Sequence, residues 1–210
     1  MKDIIIFGAG GFAREVAFVI KEINRITPAW RILGFAEADD RNVGKSVGAY
    51  TVYCSEEDVH EMEVDAVIAV GNPEILRKIA GNFREQKKVS FPNVVHPNTV
   101  YDKERIVMGE GNIVCAGVYF TTDIQIGNFN HFNLSTTIGH DVVIGDYCII
   151  NPGVNISGGV TFGNRCNIGT GASILQNISI GDRVTVGAGA VVTRDIEDGV
   201  TAVGVPAKPL

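Results

Sequence analysis

Basic residues are scarce in this chain. Eighteen lysines and arginines stand against 24 aspartates and glutamates, a formal net charge of −6 over 210 residues. A nucleic-acid binder would show the opposite balance or a basic stripe, so that class is excluded. Phosphorylated small molecules stay open, because backbone amides at a helix N-terminus hold them without net positive charge. Cysteine is also scarce. Cys54, Cys115, Cys148 and Cys166 make no CxxC pair, and the four histidines form no cluster with them at metal-ligand spacing. No metal site and no disulfide framework is expected. Long apolar runs are missing too: the stretch "IIIFGAGGFAREVAFVI" is interrupted by Arg14 and Glu15 and has no small-residue cleavage site. It reads as neither a membrane span nor a signal peptide. The expectation is a soluble cytoplasmic protein with reduced thiols and no nucleic-acid or membrane partner.

What the chain has in quantity is a period. Counting in sixes from Met108 through Val114, Phe120 and Ile126 to Val192 meets fifteen large apolar residues without a break. A helix of period 3.6 cannot keep such a row on one face, and simple β alternation would not single out every sixth residue. Gly109, Gly127, Gly145, Gly163 and Gly181 follow the apolar anchor at intervals of 18. Six residues per side and 18 per turn predict a triangular coil of short parallel strands. The residue four after each anchor (Val142, Cys148, Val154, Val160, Cys166, Ala172, Val184, Ala190) should fill the interior. Cys148 and Cys166 then stack one coil apart as small hydrophobic core residues.

The first ninety residues have a different grammar. "KDIIIFGAGGFAREVAFVIKEI" reads as strand, glycine turn and helix, with Gly8, Gly10 and Ala13 in G-x-G-x-x-A spacing and the helix opening near Phe12. "WRILGFAEADD" is a second strand ending in acids, Glu37 among them, and "VDAVIAVGNPEILRKIAGNF" repeats strand, turn and helix through Gly71 and Asn72. A short strand is expected between Lys87 and Pro92. The fold class is thus an α/β half-Rossmann βαβαβ domain over residues 1–93, followed by an all-β coil of hexapeptide repeats over 94–210. One mononucleotide half is too little to clasp NAD. The glycine turn therefore points to anion binding at a helix N-terminus, with a merely tight turn as the bland alternative.

The coil resembles the hexapeptide-repeat acyltransferases, which implies a left-handed parallel β-helix. The whole chain resembles the bacterial sugar acetyltransferases that include the sialic acid O-acetyltransferases (NeuD-like) and the bacillosamine N-acetyltransferases (PglD-like). The carrying residues are "GAGGF" at 8–12, "GF" at 34–35, "AVGNPEILRKI" at 69–79, "HP" at 96–97, "GHDVVIGD" at 139–146 and "GVPAK" at 204–208. The resemblance implies a homotrimer that uses acetyl-CoA and no metal to acetylate a sugar amine or hydroxyl in surface-glycan biosynthesis. The sugar is expected to be nucleotide-activated and held by the first domain, through Gly8, Gly10, Gly11, Phe12, Glu37, Gly71 and Asn72. The chain departs from the N-acetyltransferase pattern at Phe12 and Ile149, where a histidine is usual, and there matches the sialic acid branch. An O-acetyltransferase acting on a sugar not linked to UDP is therefore the alternative. An NAD-dependent oxidoreductase and a non-catalytic nucleotide-binding β-helix are more remote.

The 18-residue turn puts Thr122, His140 and Gly158 in one corner column and Asp123, Asp141 and Gly159 in the next. A neutral imidazole can take a proton from an attacking amine or hydroxyl, an adjoining carboxylate can fix its tautomer, and a side-chain-free N–H one rung away can face an oxyanion. The resemblance assigns His140 as the base and Asp141 as its partner, one carbon shorter than the usual Glu; Asp123 could orient the ring instead. Gly158 is the expected oxyanion donor. For acetyl-CoA, Gly158 and Gly159, the small residues Gly169, Gly187 and Ala188, and Lys208 near the CoA phosphates are the candidates. Of the remaining histidines, His131 reads as structural, with an interface or acceptor contact as the alternative. His96 reads as a junction residue and His60 as an exposed loop residue.

Overall fold

The computed structural model describes residues 1–210. Its N-terminal layer begins with β1 (Lys2–Phe7), whose Ile4 to Phe7 are buried on both faces, as in a central parallel strand. Then follow α1 (Gly11–Ile26), β2 (Trp30–Glu37), β3 (Ser46–Val47), β4 (Tyr50–Ser55), β5 (Val64–Ile68), α2 (Pro73–Asn82) and β6 (Val89–Ser90). The sheet order is β3-β4-β2-β1-β5-β6, and only the β3–β4 hairpin is antiparallel. The hairpin is an addition to the expected βαβαβ unit, on the outer edge of β2. Because β2 and β5 flank β1 on opposite sides, the carboxyl ends of these strands open a crevice at a topological switch point.

From Val94 onward the chain winds as a β-helix with three faces. The first carries Tyr119–Phe120, Thr137–Ile138, Asn155–Ile156, Ser173–Ile174 and Val191–Val192. The second carries Ile106–Met108, Ile124–Ile126, Val143–Ile144, Thr161–Phe162 and Ser179–Ile180. The third runs from Val94–Val95 and Ile113–Val114 through His131–Phe132, Ile149–Ile150, Asn167–Ile168 and Thr185–Val186 to the final Thr201–Val203 and Lys208–Pro209. Stacked strands pair in parallel 18 residues apart, Ile126 on Ile144 and Ile144 on Phe162. Every anchor from Val114 to Val192 is at most 5% exposed. Met108 alone is half-buried, because no complete coil lies beneath it.

The interior is less uniformly apolar than expected. Asn112 and Asn130 share the column of Cys148 and Cys166 and are fully buried. Their amides are satisfied by the coil itself: Asn112 Oδ1 accepts from Asn130 N–H at 2.8 Å, and Asn130 Oδ1 from Cys148 N–H at 2.8 Å. All four cysteines are buried and unpaired. The glycine period also has a direct cause. A Cβ on Gly145 would lie 2.6 Å from Gly163 O in the next coil, and one on Gly127 2.7 Å from Gly145 O, so at this corner the rungs meet too closely for any side chain.

The layer and the coil share two apolar clusters. Ala13, Val16 and Ile20 of α1 pack with Val94, Ile113 and Cys115 of the third face. Leu76, Ile79 and Phe83 pack with Phe91 and Phe129, and Arg165 of the coil reaches Glu74 at the start of α2 (3.4 Å). The crevice is thereby held against the third face. No helix is long and apolar enough to cross a membrane, and no three His, Cys, Asp or Glu side chains gather as metal ligands.

Candidate active site

His140 lies at the corner between the first and second faces, in the gap from Ile138 to Val143. The chain turns there through Asp141 in the left-handed region (φ 60°), which aspartate tolerates better than most residues. That turn swings the carboxylate back, and Asp141 Oδ2 lies 2.7 Å from His140 Nδ1. With Nδ1–H donating to the carboxylate, Nε2 keeps its lone pair free. Asp123 is engaged elsewhere, in an ion pair with Arg105. Of the two candidate orienting acids, the geometry therefore joins Asp141 to the histidine.

Gly158 lies directly under the ring. A Cβ there would be 2.6 Å from His140 Nε2 and Cε1, so glycine is what lets the imidazole rest against the next coil. The Gly158 N–H donates to no backbone carbonyl, whereas the N–H of Gly159 is bound to His140 O at 2.8 Å. One free donor and one free imidazole nitrogen thus share a corner. Both His140 and Asp141 side chains are about two-thirds exposed (67% and 68%), so a single chain does not enclose them.

Of the expected donor-binding residues, Gly158 and Gly159 share this corner and the others fall elsewhere. Gly169, Gly187 and Ala188 lie at the corner between the third and first faces, across the whole first face from His140. Gly169 is needed for packing, since its Cβ would sit 2.5 Å from Ala188 N. The open positions at that corner are Gly171 and Gly189, which have positive φ and no atom within 4 Å of where a Cβ would stand. The sequence motifs do not single out either one; their spacing of 18 is the signal that could have found them. Lys208 is exposed on the final strand, paired with Val203.

In the crevice, Gly8 has φ +92°, which strains any side chain where β1 turns toward α1, and its Cβ would press on Ala69 O at 3.2 Å. Gly10 caps α1 without any side-chain hydrogen bond, leaving first-turn N–H groups open. The second turn differs. Asn72 Oδ1 already accepts from Glu74 N–H (2.9 Å) and Ile75 N–H (3.1 Å), so α2 is capped and only the Asn72 amide nitrogen stays available there. Glu37 closes β2 and accepts from Asn42 Nδ2 at 2.6 Å. Gly71 and Gly11 are exposed beside these turns, and Phe12 is half-buried.

The other histidines lie away from this corner. His96 Nδ1 accepts from Asn98 N–H at 3.1 Å in the first coil turn. His60 is not an exposed loop residue: it lies on a short helical turn and stacks on Phe83 at 4.1 Å. His131 is 1% exposed under Phe12, with ring centroids 5.1 Å apart. Burial pushes its pKa down to about 4, so it is neutral at physiological pH.

Comparison with known proteins is consistent along the whole chain. Residues 3–83 match the PglD N-terminal domain, and residues 159–194 match the bacterial transferase hexapeptide family (six repeats). Among solved structures, WeeI from Acinetobacter baumannii is 32% identical, with all of both chains covered and a TM-score of 0.88. The acetyltransferase domain of PglB from Neisseria gonorrhoeae in complex with acetyl coenzyme A is 30% identical, covering 100% of this chain and 99% of that one, with a TM-score of 0.90. PerB from Caulobacter crescentus in complex with CoA and GDP-perosamine is 28% identical, covering 100% and 98%, with a TM-score of 0.91. The same perosamine N-acetyltransferase is also known with CoA and GDP-perosamine as variants with one histidine replaced by asparagine or alanine. Among curated proteins no match is found.

Proposed function

The chain belongs to the hexapeptide-repeat sugar acetyltransferases, and from that premise we propose that it transfers acetyl from acetyl-CoA to the amine of a nucleotide-linked amino sugar, with His140 as general base. The observation that carries the site assignment is the 2.7 Å contact between His140 Nδ1 and Asp141, set above a Gly158 whose N–H is free. The acceptor nitrogen attacks the thioester carbonyl, and the carbonyl electron pair moves onto oxygen, facing the Gly158 N–H. His140 Nε2 takes the proton from nitrogen. The intermediate collapses, the C–S bond breaks, and the imidazolium returns the proton to the departing CoA sulfur. Asp141 holds the tautomer and stabilises the imidazolium.

Residues 1–93 supply the acceptor site and residues 94–210 the transfer site. Supporting this, the α1 N-terminus is open while that of α2 is capped, so the phosphates belong at Gly8 to Phe12. Both substrates are cytoplasmic metabolites, so the enzyme is expected to work in the cytoplasm. Turnover of acetyl-CoA against a panel of UDP-, dTDP-, GDP- and CMP-linked sugars and free sialic acid tests the reading. Turnover only with free sialic acid would replace the amine by a hydroxyl.

Gly10→Val isolates the acceptor site. A Cβ at Gly10 meets nothing within 4 Å and φ is −76°, so the fold accommodates the side chain. Calorimetry should show nucleotide-sugar binding weakened by at least tenfold with the melting temperature unchanged, and no NADH binding to either protein. Unaltered affinity would move the phosphates away from this turn.

The working form is a homotrimer with acetyl-CoA between chains. His140 and the Gly169, Gly187 and Ala188 corner bound opposite edges of the first face, so one chain cannot bring them to one cleft, whereas a neighbouring coil can. It would also shield the exposed His140–Asp141 pair from water. Closed threefold symmetry suits a triangular rod. Sedimentation should give three times the chain mass, and a fully active monomer would refute the shared cleft.

A further inference from the structure

His131 is out of place as a purely structural residue. It projects from the third face of the coil between Ile113 and Ile149, which are apolar and buried. A neutral imidazole carries one donor and one acceptor, yet neither His131 nitrogen has a hydrogen-bond partner. The Ile68 carbonyl is close enough to oppose the fall in its pKa but not in hydrogen-bonding geometry. An apolar side chain of similar size would avoid leaving two buried polar atoms unmade.

Its surroundings say what the unpaired atoms face. Ile68 ends β5 and leads into the turn at Ala69 to Asn72, while Phe12, packed on the imidazole, follows Gly10 and Gly11 at the opening of α1. His131 therefore lies beneath both turns of the switch-point crevice, and it comes from the coil. Across the sheet the order is β2, β1, β5. With the ribose toward Glu37 at the end of β2 and the diphosphate at the β1 turn, the remaining moiety, the sugar, falls at the β5 end. That is also the side held against the coil.

We infer that His131 is a positioning residue of the acceptor site, which hydrogen-bonds a polar group of the nucleotide-linked sugar once Phe12 gives way. The inference rests on the acceptor reading of the crevice. A neutral imidazole suits a hydroxyl or amine, which can both donate and accept, and it leaves the phosphates to the amides of α1. The arrangement also explains how the N-terminal layer and the coil share one substrate: the layer holds the nucleotide, and a coil side chain fixes the sugar it carries.

The test uses His131→Phe and His131→Gln in the full-length protein, titrated with the panel of nucleotide-linked amino sugars and with each matching free nucleotide. His131→Phe removes the two orphan atoms, so its melting temperature should equal or exceed that of the wild type. It should bind the free nucleotide normally and the nucleotide sugar about tenfold more weakly, the size of one lost hydrogen bond. The KM for acetyl-CoA should not change, and His131→Gln, which keeps a donor and an acceptor, should recover part of the loss. In the wild type, the His131 ring-nitrogen resonances should shift with nucleotide sugar and not with free nucleotide, a readout that stands if a variant fails to fold. Equal nucleotide-sugar affinity in wild type and His131→Phe, or unmoved ring resonances, overturns this inference alone. Failure of the wild type to bind any nucleotide or nucleotide sugar overturns the acceptor reading and this inference with it.

Discussion

His140→Ala is expected to slow the chemical step by about 10² to 10⁴, the range attributable to one positioned general base, while acetyl-CoA binds nearly as before. The expectation follows from the geometry at the corner. Asp141 accepts from Nδ1, so Nε2 is the one nitrogen free to take a proton, and no second histidine stands near enough to replace it. His131 is buried on the third face, and His60 and His96 lie in the N-terminal layer and the first coil turn. Alanine removes the base without disturbing the core, since the His140 side chain is 67% exposed. Single-turnover measurement of acetyl transfer separates this from a change in binding, and activity within threefold of wild type would refute the assignment. Gly158→Ala is the companion variant. Its Cβ would stand 2.6 Å from the ring, so the imidazole must turn away and transfer must slow although every catalytic side chain remains.

Ile144→Asp should abolish soluble folding. Ile144 is 2% exposed, stacked between Ile126 and Phe162 inside a prism that offers a carboxylate no partner. Losing the buried side chain costs about 2–3 kcal/mol by transfer alone. Burying an unpaired carboxylate, or forcing it to protonate, costs several kcal/mol more. Together these approach the whole stability of a domain, about 5–15 kcal/mol. Val143→Asp is the control, because the neighbouring side chain points outward and is 39% exposed. The soluble fraction and far-ultraviolet dichroism of the two variants report the outcome. A soluble, folded Ile144→Asp would mean that the hexad anchors do not carry the core.

The coil was legible in the sequence because its information is local and repeated. Each anchor recurs at a fixed covalent distance, so the period alone decides which residues point inward, and all of them from Val114 to Val192 do. The β1 turn was legible for a similar reason: a positive φ at Gly8 and an open helix N-terminus are properties of a few consecutive residues. The adjacency of His140 and Asp141 is covalent too, and the 18-residue turn set Gly158 beneath them.

Contacts between elements with no fixed spacing were decided only by the tertiary structure. Arg105 stands one 18-residue turn before Asp123, so the repeat puts the two on adjacent rungs, but only the structure shows that they form an ion pair and leave the orienting contact to Asp141. In the β3–β4 hairpin, β3 has only two residues, too few for periodicity to register. The sequence leaves His131 between a structural residue and an interface or acceptor contact, and its burial arises because the N-terminal layer docks on its face of the coil through shared apolar clusters. A hydrophobic period specifies which side of a strand is inside, but not which other surface will cover its outside. That choice depends on shape and area matched between parts of the chain far apart in sequence, and it exists only once both have folded.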